Sequence, residues 1–83
     1  MATFIDIHSG MTGLTREQLE AAHRQDQQFQ AEEGVTFLKA WAAPQDGKVF
    51  CLAEAPSKEA IQRVHARAGH GPDEIYEVPL TVE

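Results

Sequence analysis

The sequence predicts an α+β domain. Two observations carry the prediction: short stretches with the alternation of strands flank two segments with the caps and apolar seams of helices, and they occur in the order strand, helix, strand, strand, helix, strand. The first strand runs from Thr3 to His8, where Phe4, Asp6 and His8 alternate with Ile5 and Ile7, and Ser9, Gly10 and Gly13 end it. Thr15 then caps a helix, with Gln18 placed for a capping box and Gly34 as the stop. Its buried seam is expected along Leu19, Ala22, Asp26 and Phe29, with His23 beside it. Val35 to Ala42 forms a second strand, the turn Pro44 to Gly47 follows, and Lys48 to Ala55 returns as the third. Ser57 caps a shorter helix reaching to about Ala68, with Ile61, Val64, His65 and Ala68 on one face and Gly69 as its stop. Ile75 to Val82 is the last strand, and Pro79 makes it an edge or kinked one.

This order, βαββαβ, is the split βαβ arrangement of ferredoxin-like domains: a four-stranded antiparallel sheet with both helices on one face. The two halves also echo each other, because TREQLEAAH and SKEAIQRVH each place a histidine, His23 or His65, eight residues after the cap. With Ile5, Ile7, Phe50 and Leu52 facing the helices, the open face of the sheet would carry Phe4, Asp6, His8, Phe37, Trp41, Val49, Cys51 and Ala53. So much apolar surface is expected to be covered by a second copy, giving a homodimer with sheets packed face to face.

The 83 residues leave room for a single domain, residues 1–83, and a chain this short buries only ~60% of its unfolded surface. Lys plus Arg is 7 against 13 Asp plus Glu, a formal charge of -6. The basic residues form no stripe, so neither nucleic acid nor an anionic membrane is an expected partner. No apolar stretch approaches a membrane span, and the N-terminus lacks the basic and apolar regions of a secretion signal, so a cytoplasmic location is expected. A single cysteine, Cys51, excludes an intrachain disulfide and offers no CxxC pair.

Two constellations can carry chemistry. Cys51, His8 and Asp6 lie on adjacent strands of the expected sheet and offer the thiolate, imidazole and carboxylate that bind Ni, Zn or Cu. The competing reading makes Cys51 a small buried apolar residue, His8 a strand-end residue and Asp6 an ion-pair or interface residue. The second constellation is His23, Asp26 and His65, with Glu54 near the start of the second helix. Asp26 and His65 occupy apolar positions of their helices, where a charge must be paired. They form either a hydrogen bond between the helices or a ligand site. His70, after a helix-stopping glycine, is expected at an exposed turn, where its charge would suit the helix dipole. No GxSxG, HExxH, P-loop or GxGxxG motif occurs, and no neighbouring cation in the sequence lowers the pKa of Cys51.

The segments AHRQD from Ala22 to Asp26, the Trp41 strand, VFCLAEAPSKEAIQRVH from Val49 to His65 and AGHGPDEIYEV from Ala68 to Val78 resemble the small nickel-binding ferredoxin-like proteins of Streptomyces and related bacteria. The resemblance covers nearly the whole chain. It implies a homodimeric ferredoxin-like domain that binds Ni(II), with other divalent transition metals as competitors, for sequestration or detoxification. His8, His23, Asp26, Cys51, His65 and His70 are the metal-site positions carried over; which of them ligate is left open, as are acids at a dimer edge. A non-enzymatic metal-binding protein is thus the expected function, with binding weakening below ~pH 6.5 as the histidines protonate. The alternative is a small-molecule enzyme or ligand carrier built like a dimeric α+β barrel, its cavity lined by Phe37, Trp41 and Cys51.

Overall fold

A computed structural model describes residues 1–83. The elements are β1 (Ala2–His8), α1 (Arg16–Gln30) with a 3-10 turn at Ala31–Glu33, β2 (Thr36–Ala43), β3 (Lys48–Ala55), α2 (Lys58–Arg67) and β4 (Glu74–Glu77). The strands form one antiparallel sheet in the order β2-β3-β1-β4, the ferredoxin-like arrangement. The caps are those expected: Thr15 and Gln18 form a reciprocal capping box, the Ser57 hydroxyl accepts from the Ala60 amide, and Gly34 leaves the first helix at φ 69. No helix is long and apolar enough to cross a membrane.

The last strand is shorter than expected, four residues instead of eight. Proline 79 has no N–H to give a ladder, and beyond the Val78 amide, which still donates to the Thr3 carbonyl at 2.9 Å, the chain leaves the sheet. Leu80 and Val82 end 90% and 96% exposed.

The larger correction concerns the faces. Phe4, Asp6 and His8 of β1 and Val49, Cys51, Ala53 and Ala55 of β3 are the buried set, whereas Ile5, Ile7, Phe50 and Leu52 look outward and are only partly covered. Strand alternation defines two sets of side chains without saying which set meets the helices. Here the inner layer combines small residues, Cys51, Ala53, Ala55 and Ala60, with Phe4, Val35, Phe37, Val49, Ile61, Val64 and Ile75. In β2 a register shift between Phe37 and Lys39 breaks the alternation, so Phe37 and Trp41 do not share a face. Phe37 is buried in the core; Trp41 pairs with Phe50 outside and is 44% exposed. The outer face therefore reads across the strands as Trp41, Phe50, Ile7, Glu74 and, one row on, Lys39, Leu52, Ile5, Tyr76.

The β1–α1 loop is tied to the β2–β3 turn. The Met11 amide donates to the Gly47 carbonyl at 2.9 Å and the Gly13 amide to the Pro44 carbonyl at 3.1 Å. Gly47 has φ +68, and a Cβ there would meet Thr12 Oγ1 at 2.8 Å, so both the turn and the loop require glycine.

Candidate metal centre

Because β1 turns Asp6 and His8 toward the helices, Asp6, His8 and Cys51 of the first constellation meet Asp26 and His65 of the second in one cluster. Asp6 pairs with Cys51 across β1 and β3, and His8 follows with Val49 as its partner. From α2, His65 reaches down between the strands, and from α1, Asp26 meets it. His65 Nδ1 lies 3.0 Å from Asp26 Oδ1 and Nε2 lies 2.9 Å from Asp6 Oδ2. Asp6 and His65 are fully buried and Asp26 nearly so. The imidazole gives each carboxylate one hydrogen bond, which offsets part of the cost of burying them.

His70 is not the exposed turn residue expected. It is half-buried, its backbone amide donates to the His65 carbonyl at 3.0 Å, and its Nε2 lies 2.8 Å from Asp26 Oδ1. The imidazoles of His8 and His70 stand edge-on with centroids 5.4 Å apart, and His8 stands likewise 4.7 Å from His65. His23 does not join Asp26 and His65; its Nε2 is 3.2 Å from Gln27 Nε2, and its Nδ1 is buried without a hydrogen-bond partner. Glu54 is elsewhere altogether, opposite Thr3 and Thr36 on the outer face.

A pocket opens onto this cluster. Met11, Leu14, Leu19 and Ala22 make its apolar wall. His8, Cys51, His70, His23 and Asp26 supply the polar part of its lining. The cavity volume of about 20 Å³ holds one or two waters or a small ion with a bound water, and not an organic substrate. The cavity expected between Phe37, Trp41 and Cys51 does not form within the chain, since Trp41 is on the other side of the sheet from Phe37 and Cys51.

Burial and charge set the protonation states. Burial alone would lower the His65 pKa, yet the bonds to Asp26 and Asp6 and their charges raise it from 6.5 to about 9. Burial would raise the Asp6 carboxyl, but the bond to His65 and the neighbouring His8 imidazole hold it below its usual value. Desolvation lowers His70, with Asp26 opposing, so it is a neutral imidazole at pH 7. Burial pushes the Cys51 thiol strongly up, and the Asp6 and Asp26 carboxylates add to the shift.

Two groups bring ligand atoms within 4.8 Å of one another: Asp6, His8, Cys51 and His65, and Asp26, His65 and His70. They differ in one respect. Asp26 Oδ1 has two imidazole partners, whereas Asp6 Oδ1 has no formed hydrogen bond, although His8 Nε2 is 2.9 Å away, because the approach is off-line. An unsatisfied, buried carboxylate oxygen beside an imidazole and a thiol fits a borderline divalent ion. The sequence offers Asp6 and Asp26 in separate constellations, and only the fold brings them together on His65; the signal for it is two acids and a histidine at buried phases of three elements.

Residues 4–78 match the family profile described as Nickel responsive protein SCO4226-like. The fold superposes with TM-score 0.96 on the crystal structure of SCO4226 from Streptomyces coelicolor A3(2), at 53% sequence identity over 98% of this chain and 100% of that one. No curated protein matches the chain.

Proposed function

The chain belongs to the nickel-responsive SCO4226-like family, and from that premise and the chemistry of its pocket we propose a non-enzymatic metal-binding protein that takes up Ni(II). The single observation that supports this most is the Asp6 oxygen left without a hydrogen bond beside His8 and Cys51. An ion there would draw on imidazole nitrogen, carboxylate oxygen and sulfur, a mixed set that suits Ni(II), Co(II), Zn(II) and Cu(II). His70, His23 and Asp26, which line the same pocket, are the further donors. Because the Cys51 thiol is held protonated, it ligates only by releasing its proton to solvent as the ion enters.

Sequestration or detoxification in the cytoplasm is the role this chemistry serves, since the pocket is too small for an organic substrate. The outer sheet face, with Trp41, Phe50, Ile7, Leu52, Ile5 and Tyr76 together, is best covered by a second copy, and a homodimer is the assembly we propose. Isothermal titration of the tag-free protein with Ni(II) at pH 7, with Zn(II), Co(II) and Cu(II) in parallel, tests the metal reading. Saturable uptake is expected, weakened at least tenfold in Cys51→Ser and His8→Ala; equal affinities in wild type and both variants would sink it.

A further inference from the structure

One ring closes the polar side of the pocket. His8, Cys51 and Asp26 line it and are buried, whereas His70 lines it with 25% of its side chain exposed. The His70 ring thus has one edge in solvent and the other against the buried groups. A single side-chain hydrogen bond holds it there, from Nε2 to Asp26 Oδ1 at 2.8 Å. The same oxygen accepts from His65 Nδ1 at 3.0 Å. When His70 leaves, Asp26 therefore keeps a buried donor, and the departing imidazole exchanges its bond for one to water. His65 has no such freedom, being 0% exposed and bonded at both nitrogens.

Room for the departure lies beside the ring. Gly69 and Gly71 flank His70, both are exposed, and a Cβ at either would meet no atom within 4 Å. Gly69 leaves the second helix at φ +93, which calls for glycine. Gly71 has no positive φ and open surroundings, so the closed arrangement gives no reason for a glycine there. The main chain on both sides is held, the His70 amide donating to the His65 carbonyl at 3.0 Å and the Asp73 amide to the Ile7 carbonyl at 2.8 Å. Movement therefore falls to the side chain, which can rotate about its own bonds while the backbone stays in place.

We propose that His70 is a swinging gate: its ring turns from Asp26 toward the open space beside Gly71, and the rotation admits small solutes to the pocket and to Cys51. The gate concerns access and does not rest on the pocket's being a metal site. In the closed state the cavity of about 20 Å³ has room for one or two waters. With the ring swung out, the space of an imidazole is added and joined to solvent. The open state is the minor one, because only the closed ring has its bond to a buried carboxylate. Met11 and Leu14, on the tied β1–α1 loop, are a separate barrier on the apolar side.

The chain carries its own reporter, since Cys51 is the one cysteine and lines the pocket. The test is the rate at which methyl methanethiosulfonate, a small uncharged thiol reagent too large for the closed cavity, labels Cys51 in the full-length, metal-free protein, read by mass spectrometry. In the wild type the rate should barely change with low concentrations of urea, the mark of a local opening. His70→Ala, which removes the ring, should label at least tenfold faster. Gly71→Val, whose side chain fills the space the ring swings into, should label about threefold more slowly. A wild-type rate that rises with urea as steeply as global unfolding, an unchanged rate in His70→Ala, or no slowing in Gly71→Val would overturn the gate. Should His70→Ala fail to fold, the wild-type urea dependence and Gly71→Val still decide. Metal is absent throughout, so the outcome is independent of whether Ni(II) binds.

Discussion

The two faces of the sheet divide the side chains against simple expectation. The helix-covered face carries Asp6, His8, Cys51, Ala53 and Ala55 among Phe4, Phe37, Val49 and Ile75, while Ile5, Ile7, Phe50, Leu52 and Trp41 stand on the outside. The covered face tolerates charge because each buried carboxylate meets an imidazole, and it needs small residues because both helices lie close upon it. Apolar residues stand on both faces, so hydrophobicity alone does not choose the inner one here; the pairing of buried polar groups and the spacing of the layers contribute.

Breaking that pairing should give the largest effect. Asp26→Ala leaves His65 and His70 facing an empty site, and the cost expected is about 3–5 kcal/mol, read from urea unfolding monitored by Trp41 fluorescence; a loss below ~1 kcal/mol would mean that the buried cluster contributes little. The pH dependence comes next. His65 has its pKa raised from 6.5 to about 9, so its stabilisation is fully present below pH ~6.5 and is lost as pH rises through about 9, by on the order of 3 kcal/mol. The depressed Asp6 carboxyl works in the other direction: its contribution is present above pH ~4 and is lost as pH falls through its folded value. Unfolding free energy measured from pH 4 to 10 should therefore fall at the alkaline end, and His65→Gln should flatten that limb.

Spacing is tested separately from charge. Ala53 is fully buried between the sheet and the helices, and Ala53→Leu should cost about 1–3 kcal/mol through overpacking. The smallest effect on the fold is expected outside: Trp41→Ala should change chain stability by less than about 1 kcal/mol but weaken self-association, with sedimentation velocity showing a shift toward monomer. A variant that stays fully dimeric would move the interface away from this face.

The element order was legible because caps and stops are local chemistry. Thr15 with Gln18, Ser57, Gly34 and the turn Pro44 to Gly47 each act within a few residues, and the structure has all of them in place. The facing of the strands was not, because alternation is symmetric between faces and what breaks the symmetry is a contact between Asp6 and His65, 59 positions apart. The same holds for His70: nothing near it in sequence shows that Asp26, 44 positions away, accepts from its ring. Half of the site was thus visible as candidate residues and half only as tertiary pairing, with the register shift in β2 hiding the separation of Phe37 from Trp41.

The tie between the β1–α1 loop and the hairpin turn bears on time as much as on shape. Met11 and Leu14 wall the pocket, and their loop is held by the two amides that donate to Gly47 and Pro44. An ion held in that pocket, as proposed, would leave past those side chains, so its residence time would follow the opening rate of a short hydrogen-bonded loop as well as the strength of its bonds to the protein. Loosening the loop at Gly47 would then quicken exchange of the ion while leaving its donors unchanged.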